Sequence, residues 1–166
     1  ALFLKGRADA KAEITPERLD YVMKAHAGGK LVDQVFCSFL GTLPREDFVP
    51  YVADFFLQLE HVKWTVIAGV VHDSLIISVR NLGYSKNAGE FVRRFFADIG
   101  NAGGHRAMAK AVIPYRAFAE KFAVTDAQSI ASRLQEIVAV FLHETPKDVK
   151  PNRSDLKNDR EEIKVR

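Results

Sequence analysis

Residues 31–43 constrain the fold more than any other segment, because apolar side chains occupy both sides of a predicted strand. Val35, Cys37 and Phe39 fall on one side of this strand, and Phe36 falls on the other. A strand that is apolar on both sides is typical of a sheet whose two faces are both covered. The segment therefore favours a sheet that lies between other layers of structure.

Segments with helical periodicity alternate with strand-like runs along the chain. The helix starts are marked by capping residues or prolines, at Thr15-Pro16, Pro44, Asn87 and Thr125. The strand-like runs are residues 31–43, 63–71, 75–80 and 108–113. This order predicts an α/β domain with a single mixed β-sheet of about four to five strands, helices packed on it, and an N-terminal helical arm.

The composition indicates the number of domains, the expected partners and the compartment of the protein. A length of 166 residues, 48% of them hydrophobic, fits one globular domain with an additional arm. The net charge of +3 is too small to establish nucleic-acid binding by itself. Cys37 is the single cysteine, which excludes an internal disulfide and favours a reducing compartment, so we expect a cytoplasmic protein. No apolar run reaches the ~20 residues of a membrane span, and no membrane partner is expected.

The motifs of several enzyme classes are missing from the sequence. There is no Walker-type phosphate loop, no Gly-x-Ser-x-Gly elbow and no His-Glu-x-x-His zinc motif. Cys37 stands in an apolar run without a nearby base, which disfavours a catalytic thiolate. His72 and Asp73 could ligate a metal, but polar residues are usual at a hairpin tip. We therefore assign neither a catalytic residue nor a metal site to this chain.

Two segments carry groups that could bind an anion. Ser78 and Arg80 lie two apart on a predicted strand, so their side chains share one face of the sheet. The Gly103-Gly104-His105 segment offers a glycine turn, whose backbone N–H groups can approach an oxyanion, and an imidazole donor. From the residues alone two interpretations stay open. In one interpretation these groups form a phosphate site. In the other, the glycine pair only ends a helix, and Arg80 ends an edge strand in solvent.

The order of these motifs resembles that of a known family over residues 31–142. A strand and a helix precede a hairpin that ends in Ser78-Val79-Arg80-Asn81, and a further helix leads to Gly103-Gly104-His105 and a strand of small residues. This order resembles the C-terminal, DHH-associated domain of DHH-type phosphoesterases. The family includes bacterial oligoribonucleases, phosphoadenosine-phosphate phosphatases, single-strand exonucleases and exopolyphosphatase-related proteins.

The resemblance implies a substrate-binding role for Ser78, Arg80, Gly103, Gly104 and His105. These residues would grip the terminal phosphate and sugar of a phosphorylated nucleotide or short oligonucleotide. Mn²⁺ and the hydrolytic chemistry would belong to a separate N-terminal domain, because no Asp-His-His sequence occurs here. The chain alone is therefore expected to need no cofactor of its own and to hydrolyse nothing.

The resemblance also divides the chain into three parts. Residues 1–28 would be a linker arm left from a missing N-terminal DHH domain, which is the expected partner in the full-length protein. Residues 29–145 would be the DHH-associated domain, and residues 146–166 a charged C-terminal tail. The chain lacks an initiator methionine, which agrees with a piece cut from a longer protein.

Three residues depart from the pattern of the family. Ala102 stands where a first glycine is common, and Met108 and Lys110 interrupt the small residues after the histidine. Larger side chains could narrow the pocket, although Lys110 could itself contact a phosphate. Two alternatives stay open: a non-catalytic module for single-stranded nucleic acid, with Tyr84 as its stacking residue, and a structural or homo-oligomerisation domain suggested by twelve phenylalanines.

Overall fold

The computed structural model describes residues 14–144, and in this range the chain folds into a six-stranded sheet with five helices on its two faces. The helices are α1 (Pro16–Gly28), α2 (Phe48–Phe56), α3 (Ala88–Phe96), α4 (Tyr115–Lys121) and α5 (Ser129–His143). The strands are β1 (Lys30–Val32), β2 (Val35–Thr42), β3 (Trp64–Val71), β4 (Ser74–Asn81), β5 (Asn101–Gly104) and β6 (Met108–Pro114). The start of the predicted arm and the predicted charged tail lie outside the described residues.

The sheet is mixed, with the strand order β1-β2-β3-β4-β6-β5. β2 and β3 are parallel and are joined through α2, and the other neighbouring pairs are antiparallel. The predicted α/β class with a single mixed sheet is confirmed, although the sheet has two strands that were not expected. Residues 31–43 turn at Asp33, which has φ +54°, and so contribute to both β1 and β2. The edge strand β5 was missing from the prediction.

Alternation along β4 separates the two faces of the sheet. Ile77 and Val79 join the apolar core beneath α3 and α5. Ser78 and Arg80 therefore face the opposite side, where α1 and α2 cover a second core. Both faces are covered, as the apolar side chains on the two sides of residues 31–43 indicated.

The helix caps were predicted in part. The side chains of Thr15 and Asn87 cap α1 and α3 as predicted, each accepting a backbone N–H three residues further on, at 3.2 and 3.0 Å. Thr125 does not cap α5. Gln128 precedes the helix without a side-chain cap, and Oδ1 of Asp126 accepts the N–H of Ser129, the first residue of the helix, at 2.8 Å. α4 was not predicted, because its seven residues are too few to show a clear period.

The buried face of α1 differs from the prediction. The helical spacing of Leu19, Val22, Met23 and His26 predicts one buried stripe with a packed histidine. Val22 is buried, but Leu19, Met23 and His26 are exposed, so the prediction of a packed histidine is wrong. The helix approaches the sheet closely through Ala25, which allows the carbonyl of that residue to accept a hydrogen bond from the sheet at 2.8 Å. Besides Val22 and Ala25, Tyr21 of α1 packs on this face, and its ring centroid lies 4.5 Å from that of Phe48. None of the helices described between residues 14 and 144 combines the length and apolarity that a membrane crossing requires.

Candidate functional site

A cavity of about 440 Å³ opens on the α1/α2 face of the sheet, beside the start of α2. Its floor is formed by β4, β6 and β5, one wall by the residues that lead into α2, and its rim by the loop after β5. The residues lining this glycine cavity are Glu46, Asp47, Pro50, Ser78, Arg80, Gly103, Gly104, His105, Met108, Ala109 and Lys110. The five residues predicted to bind a ligand thus line the same cavity.

The strand register brings the two distant segments together. Ser78 lies directly opposite Lys110, and Lys110 lies directly opposite Gly103. Directly paired residues on neighbouring antiparallel strands project from the same face, with Cβ atoms about 5 Å apart. One row across the floor therefore holds a hydroxyl, an ammonium group and a glycine, and Arg80 stands in the next row opposite Met108.

The hydroxyl of Ser78 is available to a ligand. Ser78 is 2% exposed, and its hydroxyl has no hydrogen-bond partner among residues 14–144. In the same range no fully buried side-chain polar atom lacks a partner, so the hydroxyl must reach the open space of the cavity. Buried hydroxyl groups are normally satisfied, which makes this one a candidate donor to a bound group.

Arg80 is buried and only partly occupied by protein contacts. Its Nε donates to Oδ1 of Asp54 at 2.7 Å, and its Nη1 donates to the carbonyl of Val79 at 3.1 Å. A guanidinium has five N–H groups, so three of them remain for a ligand. Arg80 is 8% exposed and lies on a central strand, so the alternative of an arginine exposed at a sheet edge is wrong.

The two glycines differ in what the backbone requires of them. Both lie in β5, so the alternative in which they end a helix is wrong, and the turn comes after them. Gly104 has φ +148°, and a Cβ there would lie 2.4 Å from the carbonyl oxygen of Met108. A Cβ at Gly103 would meet no heavy atom within 4 Å. The backbone therefore requires glycine at position 104, whereas Gly103 leaves the cavity floor open.

The loop that carries His105 is fixed by hydrogen bonds. The N–H of His105 donates to the carbonyl of Met108 at 2.9 Å, and its carbonyl accepts the N–H of Gly89 at 3.0 Å. The imidazole itself is exposed at the rim.

Asn81 also holds this loop, because its Nδ2 donates to the carbonyl of Arg106 at 3.1 Å, and the sequence did not predict this role. No local signal could have found this contact, because the two residues are 25 positions apart.

Acidic groups at the wall balance the positive charge of the cavity. Nζ of Lys110 lies 2.9 Å from Oε1 of Glu46, and Nε of Arg45 lies 3.1 Å from Oδ1 of Asp47. Both pairs are exposed, and exposed pairs of this kind contribute little to stability. An anion in the cavity could therefore compete with Glu46 for Lys110. In the sequence, Glu46 and Asp47 follow Pro44 and indicate only negative charge at the start of a helix.

Residues 14–144 offer neither a group of metal ligands nor a reactive thiol. Between residues 14 and 144, no group of three or more His, Cys, Asp and Glu side chains could share a metal. His72 and Asp73 lie at the tip of the β3–β4 hairpin. Cys37 is fully buried, and burial raises the pKa of its thiol far above the ordinary value, which opposes formation of a thiolate.

This fold recurs in solved structures, among them two that each match 77% of this chain. An exopolyphosphatase-related protein from Bacteroides fragilis superposes with a TM-score of 0.55 at 13% identity, over 77% of this chain and 36% of that chain. RecJ from Thermus thermophilus, in a complex with Mg²⁺, superposes with a TM-score of 0.50 at 15% identity, over 77% of this chain and 18% of that chain. At the level of the fold, these similarities agree with the DHH-associated domain that the motif order predicts.

One curated relative is similar in sequence. The uncharacterized protein MJ1633 of Methanocaldococcus jannaschii is 29% identical over 127 residues, which cover 76% of this chain. The matched region spans 25% of the length of that protein. No protein-family model matches the chain.

Proposed function

We propose that this domain binds the terminal phosphate of a nucleotide or short oligonucleotide, as the substrate-binding domain of a DHH-type phosphoesterase. The observation that carries the proposal is the convergence of Ser78, Arg80, Gly103, Gly104 and His105 on one cavity. The fold shared with RecJ and with an exopolyphosphatase-related protein supports it. In this proposal hydrolysis, and the Mn²⁺ that it needs, belong to a further domain.

Each residue has a separate task in the proposed site. The free N–H groups of Arg80 and the hydroxyl of Ser78 donate to phosphate oxygens from the floor. Gly103 allows the phosphate to approach the backbone, and His105 donates from the rim. Lys110 exchanges its carboxylate partner for the phosphate. Together these groups hold the phosphate in position and balance its charge. A substrate-binding domain contributes in this way to catalysis that takes place in another domain.

A nuclear magnetic resonance titration of the chain tests this proposal. The probes are a 5′-phosphorylated dinucleotide and the same dinucleotide without the phosphate. We expect the amide signals of Gly103 and Gly104 to shift with the phosphorylated probe and to move little with the other. With Mn²⁺ added, we expect no hydrolysis product. Identical responses to the two probes would contradict phosphate recognition, and robust Mn²⁺-dependent hydrolysis would contradict the division of labour between domains.

A second candidate function is the binding of single-stranded nucleic acid without catalysis. Tyr84 is 86% exposed, and the guanidinium carbon of Arg106 lies 4.7 Å from the centre of its ring. Since Arg106 directly follows His105, this exposed pair adjoins the loop at the cavity rim. Strand binding predicts an affinity that rises with oligonucleotide length and falls steeply with salt. A clamp for one terminal phosphate predicts little dependence on length, so a series of lengths at two salt concentrations separates the two functions.

Replacing Glu46 by glutamine is expected to tighten binding of the phosphorylated dinucleotide about two- to fivefold at low salt. The substitution removes the carboxylate that holds Lys110, so the ammonium group becomes free for the phosphate. The gain should shrink at high salt, because both charges are exposed. Calorimetric titration measures the change.

The matched control for this substitution is Glu60→Gln. Glu60 lies outside the glycine cavity, where it pairs with His61 at 3.5 Å, so this variant removes the same charge elsewhere. We expect it to bind the dinucleotide like the wild type. If the two variants gained the same affinity for the dinucleotide, net charge would explain the gain, and Lys110 would not belong to the proposed site.

A further inference from the structure

A second cavity, of about 620 Å³, lies on the α3/α5 side of the sheet, at the ends of β3 and β4. It is bounded by the β1–β2 turn, the start of β3, the segment 82–86 and the end of α5. We call it the tryptophan cavity, because Trp64 lines it. It shares no lining residue with the glycine cavity.

Trp64 offers this cavity an unused hydrogen-bond donor. The residue is 4% exposed, and its ring packs edge-on against Phe91 and Phe141, with centroids 6.0 and 6.2 Å away. Its indole N–H has no hydrogen-bond partner among residues 14–144. Since no fully buried side-chain polar atom in that range lacks a partner, the N–H opens into the cavity. A buried indole usually finds an acceptor, and here a ligand would supply it.

The charges around the cavity favour an anion. Lys63 and Lys86 line it, and neither has a carboxylate partner within residues 14–144. Lys86 donates instead to the backbone carbonyl of Glu144 at 3.0 Å, so its charge is not neutralised. Asp33 is the single carboxylate among the described lining residues. The balance at the rim is therefore positive.

The apolar residues of the walls favour an aromatic ring. Leu82, Tyr84 and Leu142 line the cavity together with Trp64. Its volume falls within the range of about 300–1,000 Å³ that is usual for small-molecule sites.

We infer that the tryptophan cavity binds a planar aromatic anion of mononucleotide size. A ring acceptor takes the indole N–H of Trp64, and the anionic group lies near Lys63 and Lys86. This site is separate from the glycine cavity, and it does not depend on the proposed function.

The fluorescence of Trp64 tests this inference directly, because the chain contains one tryptophan. The probe is adenosine 5′-monophosphate, and the controls are adenosine, which lacks the charged phosphate, and ribose 5-phosphate, which lacks the aromatic base. We expect a saturable change in emission with the monophosphate and roughly fivefold weaker binding of adenosine. Ribose 5-phosphate should leave the emission unchanged. No change with the monophosphate, or an equal change with ribose 5-phosphate, would overturn the inference.

Three variants separate occupancy of the cavity from indirect effects. Ala139 lines the cavity and is exposed, so Ala139→Leu should fill part of the space without disturbing the core, and it should abolish the response. Val140→Leu is the matched control, because Val140 is 55% exposed and does not line the cavity. Lys63→Ala should weaken binding roughly fivefold with no change in the unfolding transition. A full response in Ala139→Leu would overturn the assignment.

Discussion

Replacing Gly104 by alanine is expected to lower the free energy of unfolding by about 3 kcal/mol. Gly104 has φ +148°, a conformation that residues with a Cβ rarely adopt. The new Cβ would also lie 2.4 Å from the carbonyl oxygen of Met108 and 2.5 Å from the Cα of Ala109. Both are backbone atoms of the paired strand, so relief would require β6 to move. Chemical denaturation followed by circular dichroism measures the loss.

Gly103→Ala is the matched control, since it adds the same methyl group one residue earlier. No heavy atom lies within 4 Å of the new Cβ, so we expect the stability to change little. The methyl group would project from the floor of the glycine cavity, and binding of the phosphorylated dinucleotide should weaken severalfold. Equal stabilities of the two variants would contradict the strain at Gly104. If Gly103→Ala bound the dinucleotide as tightly as the wild type, the open floor at Gly103 would not be part of the proposed site.

Elements long enough to show a period were predictable from the sequence. The β3–β4 hairpin was expected at residues 63–71 and 75–80, and it occurs at Trp64–Val71 and Ser74–Asn81. β1, β5 and α4 were missed, and they contain three, four and seven residues. Such short elements carry one or two periods at most, and contacts with the rest of the fold decide their conformation.

Some features of the candidate site follow from local sequence patterns, and others depend on contacts between distant parts of the chain. That Ser78 and Arg80 share a face follows from the two-residue period of a strand. Their approach to Gly103 depends on the register through β6, which local patterns do not specify. The contact between Arg80 and Asp54 joins residues 26 positions apart, and no spacing rule indicates it. The residues that hold the site in place were therefore less predictable than the residues that line it.

Helix α3 illustrates a packing constraint that the sequence did not reveal. A Cβ at Gly89 would lie 2.5 Å from the carbonyl oxygen of Gly104, so the two glycines allow the helix to lie against β5. Nη1 of Arg93 donates to that same carbonyl at 3.1 Å. The capping pattern at Asn87 predicted where this helix begins, but the identity of Gly89 is explained only by the strand beneath it.

Replacing Arg80 by methionine is expected to weaken binding of the 5′-phosphorylated dinucleotide by roughly 10- to 100-fold. The substitution removes the three N–H groups of Arg80 that have no partner among residues 14–144, and it keeps a side chain of similar length. Asp54 loses its partner, but its side chain is 58% exposed, so water can solvate the carboxylate and the fold should persist. Calorimetric titration measures the affinity, and circular dichroism checks the fold.

Two further variants separate the geometry of Arg80 from its charge. Arg80→Lys keeps the charge and loses the planar fork, so we expect an affinity between those of the wild type and Arg80→Met. Arg116→Met removes one positive charge from an exposed arginine that does not line the glycine cavity. We expect it to bind the dinucleotide like the wild type. If Arg116→Met weakened binding as much as Arg80→Met, net charge alone would explain both losses, and Arg80 would not contact the phosphate.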